Sequence, residues 1–272
     1  MAEAAVPNRL RILVLGSGTS AGVPTVLCDC PVCTSSDPRD NRMRPSVLVE
    51  YGGHSVLIDT TPDFRQQALR FGIRRIDAVL FTHAHADHIL GLDDIRPFNF
   101  RRKDPIPIYA DEATLTAIRR TFQYAFQEHP AETPVPKLAA NLIDGSPFAL
   151  FGMEVTPVRV MHGRLPIYGF RFGTGPESVA YLTDHSEIPE ESLERLAGLD
   201  TLFLDSLRHR PHPTHSTVVR SLAYVERLKP RRAVFTHIAH DLAHAHTESQ
   251  LPEHVRLAYD GLELTVELPE SA

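Results

Sequence analysis

Four side chains able to bind a metal ion, His83, His85, Asp87 and His88, fall within six residues of the stretch Phe81-Thr-His-Ala-His-Ala-Asp-His-Ile-Leu-Gly91. Imidazole nitrogens with a carboxylate oxygen make a borderline donor set that suits zinc and tolerates manganese or iron. Residues 76–81, Ile-Asp-Ala-Val-Leu-Phe, predict a buried strand, and residues 86–95 predict the start of a helix. Alternate residues of a strand face one way, so His83 and His85 can point together at one ion. Once the chain turns into the helix, Asp87 and His88 can reach a second ion beside it. Three more candidates end predicted strands: His162 closes Val-Arg-Val-Met-His, Asp184 closes Val-Ala-Tyr-Leu-Thr-Asp, and His237 closes Val-Phe-Thr-His. Each by itself is an ordinary structural or exposed residue, but together they supply what a two-metal site still lacks. Two cations roughly 3.5–4 Å apart can share a hydroxide near neutral pH and neutralise charge building on a phosphoryl oxygen. Asp59, ending the strand before Thr60-Thr61-Pro62, either orients a ligand histidine or caps a helix.

The chain's three cysteines all lie in Cys28-Asp-Cys-Pro-Val-Cys33. A disulfide framework would spread an even number along the chain, so Cys28, Cys30 and Cys33 read as thiolate ligands. The 272 residues, 42% hydrophobic and 23% charged, can bury a full core. A net charge of −6 argues against bulk electrostatic capture of nucleic acid, though a local basic patch remains open. No apolar run approaches the roughly 20 residues that span a bilayer, and the first ten residues lack a signal-peptide layout. A cytoplasmic protein is expected, with no membrane partner.

The elements that must position these side chains alternate by type. Strands are predicted at 11–15, 46–50, 55–59, 76–81, 106–110, 148–160, 167–172, 179–183, 201–205 and 233–237. Helices are predicted at 63–71, capped by Thr61 or Asp63, at 111–126 with Asp111 as N-cap, at 189–196 and at 216–228. Glycines in Gly16-Ser-Gly-Thr-Ser-Ala-Gly22 match no nucleotide fingerprint and read as tight backbone near the site. Residues 129–137 are proline-rich and read as a loop or lid, and 255–266 as a closing hairpin around Asp260-Gly261. Strands first, then strands alternating with helices, twice over, predict an α/β fold: a four-layer αββα sandwich in a single domain, 1–272.

His-x-His-x-Asp-His followed by Gly91-Leu92 resembles the metallo-β-lactamase superfamily. That resemblance implies that His83, His85 and His162 hold one divalent metal, Zn²⁺ or Mn²⁺. Asp87, His88 and His237 would then hold the other, with Asp184 bridging the two. Gly16-Ser-Gly-Thr-Ser, Gly22-Val-Pro, the cysteine cluster, Asp37-Pro-Arg, Arg44-x-Ser46, Asp59-Thr-x-Pro-Asp-Phe-Arg65, Gly91-Leu-Asp-Asp-Ile-Arg96 and Phe98-Asn99 look like the PhnP-type phosphodiesterases within it. Those enzymes open a ribose 1,2-cyclic phosphate. The resemblance implies a structural Zn²⁺ on Cys28, Cys30, Cys33 and His240, which would pin a loop at 24–45. It also implies that His215, in His212-Pro-Thr-His-Ser-Thr217, is a non-ligand histidine that contacts the phosphate or protonates the leaving ribose oxygen.

The expected function is therefore a dinuclear metal-dependent phosphodiesterase acting on a small cyclic phosphate diester, with Asp184 and His215 as catalytic residues and a homodimer by resemblance. A ribonuclease Z-like enzyme is the nearest rival, disfavoured by the charge and by the absence of a long basic insertion. Thioester or lactone hydrolysis at the same two ions is a further rival, as is a metal-stabilised binding protein resembling PqqB. The remaining histidines, His212 among them, read as surface or structural. Arg39, Arg44, Arg65 and Arg96 could meet phosphate, but arginines beside aspartates such as Asp93 and Asp94 more often form ion pairs.

Overall fold

The computed structural model describes residues 9–100, 102, 104–128 and 134–268. The first half contributes β1 (Arg9–Gly16), β2 (Ser46–Tyr51), β3 (His54–Ile58), β4 (Ala78–Leu80), β5 (Ile106–Ala110) and β6 (Leu138–Leu142), with helices α1 (Phe64–Arg70), α2 (Ala86–Ile89), α3 (Arg96–Asn99) and α4 (Glu112–Thr121). The second half contributes β7 (Phe148–Leu150), β8 (Met153–His162), β9 (Leu165–Phe172), β10 (Val179–Leu182), β11 (Thr201–Asp205), β12 (Arg232–Thr236), β13 (Val255–Leu257) and β14 (Glu263–Glu267). Its helices are α5 (Glu190–Glu194), α6 (Val218–Leu228) and α7 (His244–Glu248). One seven-stranded sheet runs β14-β1-β2-β3-β4-β5-β6 and the other β13-β12-β11-β10-β9-β8-β7. This is the αββα sandwich expected from the sequence.

Both faces of the central strands β2, β3, β4, β10, β11 and β12 are buried, which is why those strands are almost continuously apolar. In β1, Leu10, Ile12 and Val14 face the core between the sheets, meeting Val49, Ile58, Phe170, Phe172 and Phe203. Leu13 and Leu15 face the other way, under Phe64, Leu92, Leu115 and Ile118. The second sheet repeats the device, with Val158, Leu182 and Leu204 packed against Leu193, Val218 and Val225. Helices α4 and α6 start where their caps dictate. The Asp111 carboxylate accepts from Thr114 N at 2.8 Å, and the Thr217 hydroxyl accepts from Arg220 N at 3.2 Å.

Several elements differ from the sequence reading. Residues 255–266 are not a hairpin: β13 joins the second sheet parallel to β12, while β14 joins the first antiparallel to β1. Asp260-Gly261 is instead a crossover between sheets. The Asp260 carboxylate accepts from Ser17 N at 2.9 Å, Ser17 Oγ at 2.8 Å and Met43 N at 2.7 Å, which commits it to long-range partners and not to a local turn. The helix predicted over 86–95 stops at Ile89 and resumes as a 3-10 turn, Leu92–Ile95. Gly91 is the reason. A side chain there would lie 1.9 Å from the Thr61 carbonyl, and Gly91 N instead donates to Thr60 O at 2.9 Å. Residues 148–160 split at Phe151-Gly152, both with positive φ. Of the expected loop 129–137, residues 129–133 lie outside the described residues, and 134–137 lead into β6, which the sequence signal missed, as it missed α7.

Strands β3–β6 run parallel, as do β10–β13. Their carboxyl ends share one edge, and the candidate residues follow those ends.

Candidate metal centre

His83, His85 and His162 present nitrogens within 4.8 Å of one another, and Asp87, His88, Asp184 and His237 form an adjoining group on the same limit. The two groups abut: the rings of His83 and His88 have centroids 4.1 Å apart. Asp184 touches both. Its Oδ1 lies 3.4 Å from His88 Nε2 and its Oδ2 3.2 Å from His237 Nε2, while its backbone carbonyl accepts from His162 Nδ1 at 2.7 Å. His85 alone of the seven is exposed, on the solvent side of the cluster. The strand ends are bent to deliver these groups. Asp59, Asp184 and His237 all hold φ near +60°, at 62°, 55° and 56°, a region that costs an L-residue roughly 1–2 kcal/mol.

Hydrogen bonds set the tautomers. The Asp59 carboxylate accepts from Thr82 N and Thr82 Oγ1, each at 2.8 Å, and lies 2.8 Å from His88 Nδ1. An ionised carboxylate only accepts, so His88 carries its proton on Nδ1 and leaves Nε2 bare. The Thr82 hydroxyl proton is committed to Asp59, so at 3.0 Å it can only accept from His83 Nδ1, which bares His83 Nε2 in turn. The bond to the Asp184 carbonyl does the same for His162. Asp59 therefore orients His88, one of the two roles open from sequence, and α1 takes no side-chain cap.

His88 Nε2 and both nitrogens of His237 are buried with no hydrogen-bond partner among the described residues. Burial opposes charge on Asp184, yet His237 and His88 outweigh it and hold the carboxyl well below the usual range. Burial likewise opposes charge on His237, yet Asp184, Asp87 and Asp205 raise it to about 9. Orphaned nitrogens beside carboxylates that draw positive charge are what a divalent cation satisfies, and the residues present fit two of them.

His215 lies against the same groups, with a ring nitrogen within 4.8 Å of ligand atoms of His162 and Asp184. Its Nδ1 is 2.6 Å from Oδ2 of Asp205, a fully buried carboxylate at the end of β11. Burial and the neighbouring His237 push His215 down to about 3. Asp205 was not singled out from the sequence. The available signal was the one that marked Asp184, a carboxylate ending an apolar strand, Leu-Phe-Leu-Asp. His185 is buried against Tyr224 and joins none of these groups. Arg39, Arg44 and Arg96 pair with Asp37, Asp63 and Asp93.

The cysteines gather around one histidine. His240 Nδ1 lies 3.1 Å from Cys28 Sγ and 3.5 Å from the sulfurs of Cys30 and Cys33. Backbone N–H groups of Cys33 and Thr25 donate to Cys30 and Cys33 sulfur at 3.4 and 3.3 Å. The first of these pulls the Cys30 thiol down to about 6, whereas burial pushes Cys33 up to about 11. A cation among them removes that conflict. Arg42, fully buried, staples this loop to the His240 segment by donating to Ala239 O at 3.0 Å and Leu242 O at 2.7 Å. Cys30→Ser is expected to lower the thermal midpoint by about 5–10 °C and zinc content by one ion per chain, before turnover suffers. Calorimetry and metal analysis check this, and an unchanged midpoint with unchanged zinc would sink the structural site.

Residues 54–238 match the model of the beta-lactamase superfamily domain. The chain belongs to that superfamily. It is a metal-dependent hydrolase of the metallo-β-lactamase fold, and the fold implies divalent metals. A crystal structure described as a new diphosphatase from the PhnP family is 53% identical, with a TM-score of 0.89 over 96% of this chain and 98% of that one, which places the chain within the PhnP family. An octanoyltransferase of Porphyromonas gingivalis is 41% identical over 95% of this chain and 52% of its own length, so this chain spans about half of that protein. Zn²⁺-bound PqqB from Methylobacterium extorquens, at 22% identity and a TM-score of 0.73 over 93% and 99% of the two chains, shares the fold.

Proposed function

We propose that this protein hydrolyses a small phosphate-bridged substrate, a cyclic phosphodiester in the first reading, at the edge where the two histidine groups meet. The observation that carries this is the placement of His215, held by Asp205 and standing beside His162 and Asp184. His83, His85 and His162 would hold one divalent cation and Asp87, His88 and His237 the other, with Asp184 between. When bound, such a pair supplies an activated water near neutral pH and screens charge on phosphoryl oxygens. The chain's own residues do the rest. Asp59 and the Asp184 carbonyl keep His88 and His162 in the tautomers that offer Nε2. Asp205 occupies His215 Nδ1, so Nε2 is the nitrogen that faces the substrate; to protonate the leaving oxygen the ring must first take a second proton there, which burial and His237 oppose and an anionic phosphate beside it favours. Both metals, zinc or manganese, and the third zinc on Cys28, Cys30, Cys33 and His240 belong to this proposal, as do a cytoplasmic location and a homodimer.

A second reading has specific support: the 53% identical PhnP-family protein is described as a diphosphatase. A diphosphate and a diester share a phosphorus atom with a bridging oxygen to be expelled, and His215 would serve either. Ribonuclease Z-like processing has only the fold and is opposed by the net charge of −6. Turnover of a chromogenic diester, inorganic diphosphate, a matched monoester and a thioester, with added Zn²⁺ or Mn²⁺, tests the class. Hydrolysis of the diester or diphosphate that EDTA abolishes is the expected result. A fully metallated protein that cleaves only the thioester would overturn the proposal.

A further inference from the structure

Three strand ends that deliver candidate ligands share the residue just before the ligand: Thr82 precedes His83, Thr183 precedes Asp184 and Thr236 precedes His237. All three threonines are buried. Their hydroxyls differ. That of Thr82 is divided between Asp59 and His83, and that of Thr236 has no hydrogen-bond partner among the described residues. The Thr183 hydroxyl lies 2.6 Å from Oδ1 of Asp184. Burial opposes charge on that carboxyl, but His237 and His88 outweigh it, so the carboxylate has no proton to give and Thr183 is the donor. The distance falls within the roughly 2.5–2.7 Å of charge-assisted hydroxyl–carboxylate bonds, the stronger class.

Strand geometry by itself would keep these two side chains apart, because successive residues point to opposite faces. Tyr181 joins the core between the sheets and Leu182 the core beneath α5 and α6, so Thr183 returns to the inter-sheet face. The ladder between β10 and β11 ends at Leu182 and Leu204, and Asp184 then takes φ 55°. That left-handed step turns the Asp184 side chain back onto the hydroxyl of its predecessor. Threonine is stiff at χ1, so a buried Thr183 holds its hydroxyl in one direction. An ionised carboxylate offers roughly four acceptor positions. Thr183 takes one of them on Oδ1, and the rest stay open toward His88 and His237, whose Nε2 atoms lie 3.4 and 3.2 Å away.

We propose that Thr183 is a positioning residue of the metal centre: its hydroxyl fixes the Asp184 carboxylate between the two histidine groups before a cation arrives. This rests on the reading of Asp184 as a metal ligand and assigns what holds that ligand in place. Without the hydroxyl the carboxylate must be ordered by the cations themselves, and the cost of that ordering is subtracted from their affinity. Thr183 acts through Asp184, so its effect is read first in metal binding and not in substrate binding.

The test is titration of the whole chain, freed of exchangeable metal, with Mn²⁺, the free ion being read by its EPR signal. Thiolates disfavour Mn²⁺, which keeps the cysteine cluster out of the measurement. Thr183→Val keeps the shape and removes the hydroxyl, whereas Thr183→Ser keeps the hydroxyl and removes the methyl group. Thr183→Val is expected to weaken Mn²⁺ binding about 10–100-fold, the usual range for a group that supports a ligand, and Thr183→Ser to stay within about threefold of wild type. A packing role gives the reverse order, with Thr183→Ser the weaker binder, and overturns the proposal. Equal affinities in the two variants overturn it as well, while leaving the metal centre intact. Wild-type protein that takes up no Mn²⁺ overturns the reading of Asp184 as a ligand and the proposal with it. Should Thr183→Val fail to fold, Thr183→Ala against Thr183→Ser makes the same comparison, since that pair differs by the hydroxyl alone.

Discussion

Asp184→Ala is expected to abolish turnover and to strip metal from the protein. Asp184 is buried, its two carboxylate oxygens face His88 and His237 at 3.4 and 3.2 Å, and its carbonyl sets the tautomer of His162. No other described residue touches both histidine groups in this way. Metals contribute several kcal/mol of transition-state stabilisation, and each 1.4 kcal/mol is tenfold, so a fall in kcat of about 10³-fold or more is expected. Metal analysis of the purified variant should find fewer ions than in the wild type. Asp184→Asn, which keeps the volume and the backbone, separates the charge from the fold. A variant with full metal content and turnover within tenfold of wild type would remove Asp184 from the site.

His215→Ala should give the second large effect, a loss of about 10²–10⁴-fold in kcat, the usual range for a proton-transferring side chain, with metals retained. Retention is the informative half, because a ring nitrogen of His215 is near enough to His162 and Asp184 to be mistaken for a ligand. Loss of metal from this variant would make it one. Leaving-group dependence tests the proton. An alkoxide needs protonation and nitrophenolate does not, so the loss should be steeper for an alkyl than for a nitrophenyl ester. Equal losses would mean that His215 binds phosphate without protonating the leaving oxygen. Asp205→Asn should reproduce part of the effect, about 10–100-fold, as expected for a group that orients another.

Much of this arrangement was legible because its signals are local. His83, His85, Asp87 and His88 fall within six residues after one strand, and Cys28, Cys30 and Cys33 within six of one loop, so their meeting follows from backbone geometry alone. His162, Asp184 and His237 announced themselves by ending apolar strands, and the two-sided burial of those strands made the four layers readable. The resemblance to a family supplied an order in which these pieces could join. What stayed hidden depends on distance through space. Asp205 and His215 are separated by nine residues of irregular loop, and nothing in either neighbourhood shows that they lie 2.6 Å apart.

The crossover at Asp260-Gly261 was misread for the same kind of reason. Locally it is a turn signal between two β-type runs, and the choice between hairpin and crossover was made by Ser17 and Met43, more than 200 residues away. Helix 86–95 was cut short by the Thr61 carbonyl, a contact that only the packing of Gly91 creates. Residue type, spacing and period by themselves determined the donor chemistry, the layers and the edge at which the site lies, since these follow from side-chain identity and the geometry of a single element. Only the tertiary structure decided which carboxylate orients which histidine and which nitrogen carries each proton. Those choices are hydrogen bonds between distant segments, and they exist only once both sheets are in place.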